Sequence, residues 1–159
     1  MTNILNPICK WTLIVIEDPK FLPGKSIFDI INLLLKVINF KFVILDYIFG
    51  IANDGLILSL QKNENKILKL EDVLLELPKI LQFDWGDFLF FKEYPKNWSN
   101  PKGEPYPYII SQTNTTIRAI DDQYIYVYTP YEKIVNLIKK NYEIESINTD
   151  YLENLDYPD

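Results

Sequence analysis

Hydrophobic residues recur with two different periods along the chain, and each period predicts one kind of secondary structure. Alternation of apolar and polar positions, or a short β-branched run between turn residues, is typical of a strand. The segments with these patterns are 11–16, 41–51, 56–60, 87–91, 108–111, 115–120 and 124–129. Residues that tolerate tight turns lie between them, at 53–55, at Asn114 and at Asp121–Asp122.

Helical spacing predicts three further elements. An amphipathic helix is expected to start after Ser26 and to end near residue 39, because apolar residues recur there every three or four positions. A shorter helix is expected over 70–77. A third begins at Thr129 and Pro130, where Thr129 is a good N-cap, Pro130 suits the first turn and Glu132 stands at the capping-box position.

These elements predict an α+β fold in a single domain. The strands outnumber the helices and follow one another through tight turns, so we expect an antiparallel β-sheet with two to three helices packed on one face. The connection over 93–108 contains four of the ten prolines and cannot form a regular element. Such a long connection often binds a partner, and its Trp98 could either contact one or pin the loop to the domain.

Tyr124, Tyr126 and Tyr128 recur with a period of two and therefore point to the same side of the predicted sheet. The economical arrangement buries the intervening Ile125 and Val127, with Ile117 and Ala119, under the helices. The three tyrosines then share the opposite face with Arg118, the only arginine in the chain. Tyrosine and arginine are enriched in interface hot spots, so this face is a candidate docking surface, although tyrosine is also simply a good strand residue.

The charge of the chain is concentrated at its C-terminus. Residues 142–159 contain six acids and no lysine or arginine, which equals the net charge of −6, whereas residues 1–141 carry 16 acidic and 16 basic side chains. We therefore expect a compact domain over 1–141 and an acidic tail over 142–159 that forms a short helix or becomes ordered on a partner. The tail is either a solvated terminus or a ligand for a basic groove. Its candidate contact residues are Asp150, Tyr151, Glu153 and Asp156.

Composition removes several classes of chemistry. The chain has no histidine, so a histidine-based triad or an imidazole metal ligand is excluded, and we expect no cofactor and no metal. The single cysteine, Cys9, fits a reducing compartment. A pI of about 4.7 argues against direct binding to nucleic acid. No apolar run is long enough for a membrane span or a signal peptide, so a cytoplasmic location is expected.

Carboxylates are the remaining candidates for catalysis. Asp84, Asp87 and Glu93 lie close together in the sequence around Trp85, and a pair of carboxylates can act as general acid and base. This hypothesis requires a pocket at these residues and a carboxylate whose pKa is raised. The alternative is that they are surface acids beside a strand, and we expect that the protein is not an enzyme.

The segments "DWGDFLFF" and "TTIRAIDDQYIYVYTP" resemble the immunity proteins that accompany bacterial polymorphic and contact-dependent toxins. The resemblance is one of general character and assigns no residue roles. It implies a protein that neutralises a cognate toxin by stoichiometric binding. If that toxin is a nuclease, the acidic tail or Asp121 and Asp122 could occupy its basic groove.

Three other functions remain open at the level of sequence. One is an acidic phage or plasmid inhibitor of a host defence nuclease. The second is the carboxylate-dependent hydrolase. The third is a carbohydrate-binding or structural module that uses Trp98 and the tyrosines. The sequence does not define the partner or the oligomeric state.

Overall fold

The computed structural model describes residues 9–17 and 23–158 of the chain. The compact domain predicted over 1–141 and the acidic tail predicted over 142–159 also include residues 1–8, 18–22 and 159, which lie outside the described residues. The described strands are β1 (Trp11–Glu17), β2 (Phe42–Ala52), β3 (Leu68–Lys69), β4 (Ile80–Phe91), β5 (Thr115–Ile120), β6 (Tyr124–Thr129) and β7 (Ser146–Asp150). The α-helices are α1 (Pro23–Leu34), α2 (Leu56–Lys62), α3 (Leu70–Glu76), α4 (Tyr106–Ser111) and α5 (Glu132–Asn141).

One antiparallel sheet organises the fold, with the strand order β3-β2-β4-β5-β6-β1-β7. The hairpin from β5 to β6 turns at Asp121 and Asp122, which both adopt the left-handed conformation, with φ of 54° and 56°. Two such residues form the turn whose twist matches that of paired strands. The α+β architecture and the antiparallel sheet are confirmed.

The helix side of the sheet carries the main hydrophobic core. Ile117, Ala119, Ile125 and Val127 lie there, as the alternation of the strands predicts. Apolar positions of α1, α3 and α5 cover them, among them Ile27, Ile31, Val73, Ile134 and Ile138. These helices bury the stripe that their 3.6-residue spacing creates, which is the main source of stability for a fold of this kind.

The opposite side of the sheet is also covered over part of its area. There α4 and the C-terminal segment after β7 pack on β1 and β6, so the helices are not confined to one face. Ile110 of α4 and Leu152 and Leu155 of the C-terminal segment are buried with Trp11 and Tyr128. A second layer therefore lies over the tyrosine side.

Two segments predicted as strands are helices. Gly55, at φ 70°, is the residue that precedes α2, whose leucine, glutamine and lysine are good helix formers. In α4, Pro107 lies in the first turn, where its missing N–H removes no hydrogen bond. Both segments are short apolar runs, and periodicity alone does not separate strand from helix in such runs.

The third helix begins later than predicted. Thr129 remains in β6, where its hydroxyl group lies 3.0 Å from that of Thr115. Its Oγ1 accepts a hydrogen bond from the backbone N–H of Tyr131 at 3.2 Å. Thr129 therefore orders the turn into α5, but the residue that precedes the helix is Tyr131 rather than Thr129.

Residues 142–158 belong to the domain instead of forming a separate tail. Strand β7 pairs with β1 from Trp11↔Asp150 to Val15↔Ser146. The predicted short helix is a single 3₁₀ turn at Leu152–Asn154. The apolar residues among the acids explain the difference, because Leu152 and Leu155 bury their side chains against the sheet.

Candidate partner-binding surface

A row of large side chains crosses the sheet on the side opposite the main core. Residues that pair directly across antiparallel strands point to the same face. Phe49 pairs with Trp85, Trp85 with Ile120, and Ile120 with Tyr124. The row therefore runs from β2 through β4 and β5 to β6.

A bulge in β2 aims further apolar side chains toward the same face. Tyr47 has a φ of 48°, which is unusual for a bulky residue, and the register of β2 against β4 shifts there. Beyond the bulge, Ile48 packs in the main core while Tyr47, Phe49 and Ile51 are about half exposed. The register shifts again between Phe49 and Gly50. Only glycine fits at position 50, because a Cβ there would lie 2.0 Å from the carbonyl oxygen of Gln82.

We call Tyr47, Phe49, Ile51, Trp85, Tyr124 and Tyr126 the aromatic surface. Trp85, Tyr124 and Tyr126 are partly exposed. Acidic residues lie at its edge. The backbone N–H of Asp121 donates to the carbonyl oxygen of Asp84 at 3.0 Å, and Gln123 donates to Glu17 at 3.3 Å.

The next row inward contains Asp87, Arg118 and Tyr126, which pair across β4, β5 and β6. Asp87 and Arg118 are buried, whereas Tyr126 is partly exposed. The guanidinium group of Arg118 lies between two rings, 4.7 Å from the centroid of Trp85 and 4.0 Å from that of Tyr106. Its Nε donates to Oδ1 of Asp87 at 3.1 Å. Both charges are therefore removed from water and neutralised by each other.

Burial raises the pKa of Asp87 to about 6, and the nearby positive charge of Arg118 opposes this shift. The indole N–H of Trp85 also donates to Asp87 Oδ1, at 2.9 Å. The raised pKa agrees with one requirement of the hydrolase hypothesis. However, Asp87 is only 3% exposed, so its carboxylate is covered by neighbouring side chains instead of facing a substrate. We interpret Asp87 as a structural partner of Arg118.

The C-terminal segment is held down by Arg118 and by a stack of tyrosines. Arg118 Nη2 donates to the carbonyl oxygen of Pro158 at 3.0 Å, and the Tyr128 hydroxyl donates to that of Asp156 at 2.7 Å. The ring of Tyr157 stacks on Tyr128 at 5.3 Å and on Tyr106 at 6.3 Å. Burial raises the pKa of the Tyr128 hydroxyl, which keeps it a neutral donor.

This cover changes the interpretation of two predicted contact residues. Arg118 and Tyr128 do share the tyrosine face, but each has an exposed fraction of 0%. Both bind the C-terminal segment, so in this conformation neither can touch a partner directly. Tyr124 and Tyr126 pack at the margin of the covered area, remain partly exposed and stay candidates, together with the exposed Asp121 and the partly exposed Asp122.

The other predicted contact residues lie at the margins. Trp98 packs edge-on against Phe91 at 5.8 Å between ring centroids, which ties the proline-rich loop to the sheet. Asp156 lies near Tyr126, whose pKa is raised by burial and by that negative charge. Asp150 is the last residue of β7, Tyr151 precedes the 3₁₀ turn, and Glu153 is exposed in that turn.

Sequence reasoning missed Tyr47, Phe49 and Ile51. Their segment was predicted as a strand, but nothing in its apolar pattern showed that the bulge would leave these side chains in solvent. Tyr106 and Tyr157 were missed as well. Their stacking joins segments that are far apart in the chain, so it has no local signal in the sequence.

A cleft of about 710 Å³ lies elsewhere, between α2 and α3. Its apolar lining includes Leu60 and Val73, and Asp72 and Glu76 lie along it. Glu76 pairs with Lys79 at 3.0 Å. None of the residues of the aromatic surface lines this cleft.

Residues 9–17 and 23–158 contain no group of three or more acids, cysteines or histidines placed to hold a metal ion. No helix there has the length and apolar character needed to cross a bilayer. Comparisons of the chain with known protein families, curated proteins and solved structures found no significant match.

Proposed function

We propose that the protein is an inhibitor of the immunity type, which binds a cognate protein toxin in the cytoplasm and neutralises it stoichiometrically. The observation that carries the proposal is the aromatic surface with acids at its edge. The protein contributes no catalytic step: it occupies the surface that the toxin needs for its substrate.

The composition of the surface supports a protein partner. Tyrosine and tryptophan supply most of the energy at interface hot spots, because a large rigid ring is buried at a small cost in conformational entropy. Phe49 is 52% exposed in the free protein, and Tyr47 and Ile51 of the same strand are exposed to a similar extent. Contiguous exposed apolar side chains of this kind mark interaction sites in soluble proteins.

The charge at the edge defines the class of partner. Glu17, Asp84 and Asp121 are exposed beside the aromatic surface, and the whole chain carries a net charge of −6. Negative potential attracts a basic surface and increases the association rate. A toxin that cleaves nucleic acid has a basic substrate groove, so a nuclease domain is the partner we propose. The same chemistry fits the second inhibitor hypothesis, in which the target is a host defence nuclease.

The layer beneath the surface supports it mechanically. Trp85 is fixed by its hydrogen bond to Asp87 and by the guanidinium group of Arg118 on its ring. Tyr126 lies 6.5 Å from Tyr128, which the C-terminal segment holds in place. Side chains that are already ordered lose less entropy on binding. In this proposal Arg118 and Tyr128 position the contact residues and do not bind the partner themselves.

Co-purification from lysate of the source cells, at low and at moderate salt, tests the proposal. The bait is the unchanged protein, the double variant Phe49→Ala/Tyr126→Ala, or the control Leu75→Ala. Leu75 is 72% exposed on α3 and lies outside the aromatic surface. We expect the unchanged protein and the control to retain one protein with a basic nuclease domain, and the double variant to lose it. Retention by all three would contradict the assigned surface.

The identity of the retained partner separates the two inhibitor hypotheses. A toxin encoded beside this gene supports the immunity function, whereas a nuclease of a defence system supports the second. Retention of no protein by the unchanged bait at either salt concentration would contradict both.

A further inference from the structure

The two lateral edges of the sheet differ in how their backbone is protected. An edge strand presents free N–H and C=O groups that can pair with another chain, and most proteins block such edges. At the β2 side, the short β3 pairs only with Phe42 and Val43. Beyond it, Gln61 donates to the carbonyl oxygen of Ile48 at 2.7 Å, and Glu64 accepts from the N–H of Ile48 at 3.1 Å. The side chains of Gln61 and Glu64 thus satisfy the backbone C=O and N–H groups of Ile48 at this edge.

The β7 edge is less protected than the β2 edge, as its sequence and its exposure to solvent show. One side of β7 pairs with β1, and no other strand of residues 9–17 and 23–158 pairs with its second side. Four of its five residues are exposed, and the strand contains no lysine and no proline, the residues that usually discourage pairing. Ile147 is 43% exposed on it. Within the described part of the chain, this edge is regular, partly apolar and unpaired on its outer side.

The charges around β7 select the kind of strand that would pair there. Glu143 and Glu145 precede the strand and are exposed, and Glu153 follows it. At the other end, the ammonium group of Lys10 lies 5.4 Å from the ring centroid of Tyr151. The pKa of Asp150 is lowered there, mainly by hydrogen bonds from Tyr151 and Asn154 and to a smaller extent by the positive charge of Lys10. Glu143 and Glu145 place negative charge at the end where β7 begins. They follow Lys139 and Lys140 in the last turn of α5, and neither acid forms an ion pair among the described residues.

We propose that β7 is a docking edge for an extended, basic segment of the partner, which adds to the sheet as an eighth strand. Backbone hydrogen bonds would supply affinity, and lysine or arginine side chains beside Glu143 and Glu145 would supply specificity. A second copy of this chain fits less well, because it would bring an equally acidic segment to the same edge. The inference rests on the proposed function, since it names the chemistry of part of the partner.

A synthetic peptide of about ten residues that alternates valine and lysine is a suitable probe. Its binding to the isotopically labelled full-length protein is followed by NMR at low salt, with hydrogen exchange of the β7 amides. The matched control is the same peptide N-methylated at every residue, which keeps its charge but cannot donate a backbone hydrogen bond along either edge. A second control peptide, in which glutamate replaces each lysine, tests whether binding requires positive charge.

We expect the unmodified peptide to shift the resonances of residues 146–150 and to slow exchange of the outward-facing amides about tenfold. The N-methylated and the acidic peptides should do neither. The variant Glu143→Gln/Glu145→Gln should weaken binding about threefold, the scale of exposed charge pairs. Equal binding of the N-methylated peptide, or shifts confined to other residues, would overturn the proposal.

A further variant separates this inference from the proposed function. Phe49→Ala/Tyr126→Ala leaves β7 unchanged, so it should bind the peptide as the unchanged protein does. If the peptide fails to bind while this variant still loses the cellular partner, the edge inference is overturned and the inhibitor function stands. If the peptide binds but no nuclease is retained from lysate, the inhibitor function is overturned and the inference that β7 accepts a basic strand stands.

Discussion

Arg118 and Asp87 form an ion pair that is almost completely excluded from solvent, with 3.1 Å between Arg118 Nε and Asp87 Oδ1. The pair connects three parts of the molecule: the centre of the sheet, the ring of Trp85 in the aromatic surface, and the backbone of the C-terminal segment. It therefore couples the stability of the fold to the shape of the proposed binding surface.

Removal of one partner of this pair should be strongly destabilising. Arg118→Ala leaves Asp87 buried without its counter-ion, and breaking a buried pair in this way costs about 3–5 kcal/mol. Urea denaturation measures the loss. The control Lys96→Ala, at an exposed position in the proline-rich loop, should cost less than about 0.5 kcal/mol. A small loss for Arg118→Ala would show that the C-terminal segment does not depend on the guanidinium group.

Asp87 should make stability depend on pH in an unusual direction. Its pKa is about 6 in the folded protein and 3.8 for the free group, so between these values the folded state binds more protons than the unfolded state. Its contribution therefore falls as pH rises from 4 to 6. Asp87→Asn removes this titration. The difference in unfolding free energy between the unchanged protein and Asp87→Asn should decrease by about 1–3 kcal/mol between pH 4 and pH 7.

Urea denaturation of both proteins at several pH values checks this prediction. A constant difference would show that the pKa of Asp87 is not raised. An increase with pH would show that Arg118 lowers it below the usual value.

Tyr157 should contribute to stability mainly through its ring. Tyr157→Ala removes the stacking on Tyr128 and Tyr106 and should cost about 3 kcal/mol, the scale for truncation of a largely buried aromatic residue. Tyr157→Phe keeps the stack, loses the hydrogen bond to the carbonyl oxygen of Leu152, and should cost about 1 kcal/mol. Thermal unfolding distinguishes the two. Equal effects of the two variants would mean that the stack contributes little.

The turn acids should control association without controlling stability. Asp121→Asn/Asp122→Asn removes two charges beside the aromatic surface, and asparagine tolerates the left-handed conformation of the turn equally well. We expect the association rate with the basic partner to fall about tenfold at low salt, and the difference to shrink at high salt. Stopped-flow measurements over a range of salt concentrations test this. A difference that persists at high salt would point to direct contacts instead of steering.

Much of the architecture was predictable because it depends on local patterns. The alternation in 115–129 determines which side chains face the helices. The apolar stripe after Ser26 predicts α1, although the helix begins earlier, at Pro23, and ends earlier, at Leu34, than its predicted bounds. The errors have a common cause. Leu56–Lys62 and Tyr106–Ser111 are too short for periodicity to decide, and their helical form depends on a left-handed glycine and on a proline in the first turn.

The site was only partly predictable, because it depends on contacts between distant segments. Alternation correctly placed Arg118 with the tyrosines, but whether that face is open depends on the C-terminal segment, which begins more than twenty residues later. The aromatic surface depends on the register shift of β2 against β4, which a single sequence does not show. The predictions for Tyr124, Tyr126, Asp121 and Asp122 as contact residues await measurement.

The most direct measurement is the affinity of the purified nuclease partner for three forms of the protein, by isothermal titration calorimetry. We expect one-to-one binding by the unchanged protein and by Leu75→Ala. We expect binding about a hundredfold weaker for Phe49→Ala/Tyr126→Ala, which loses two anchoring rings while its thermal unfolding stays close to that of the unchanged protein. Equal affinity of all three forms would contradict the claim that the aromatic surface binds the partner.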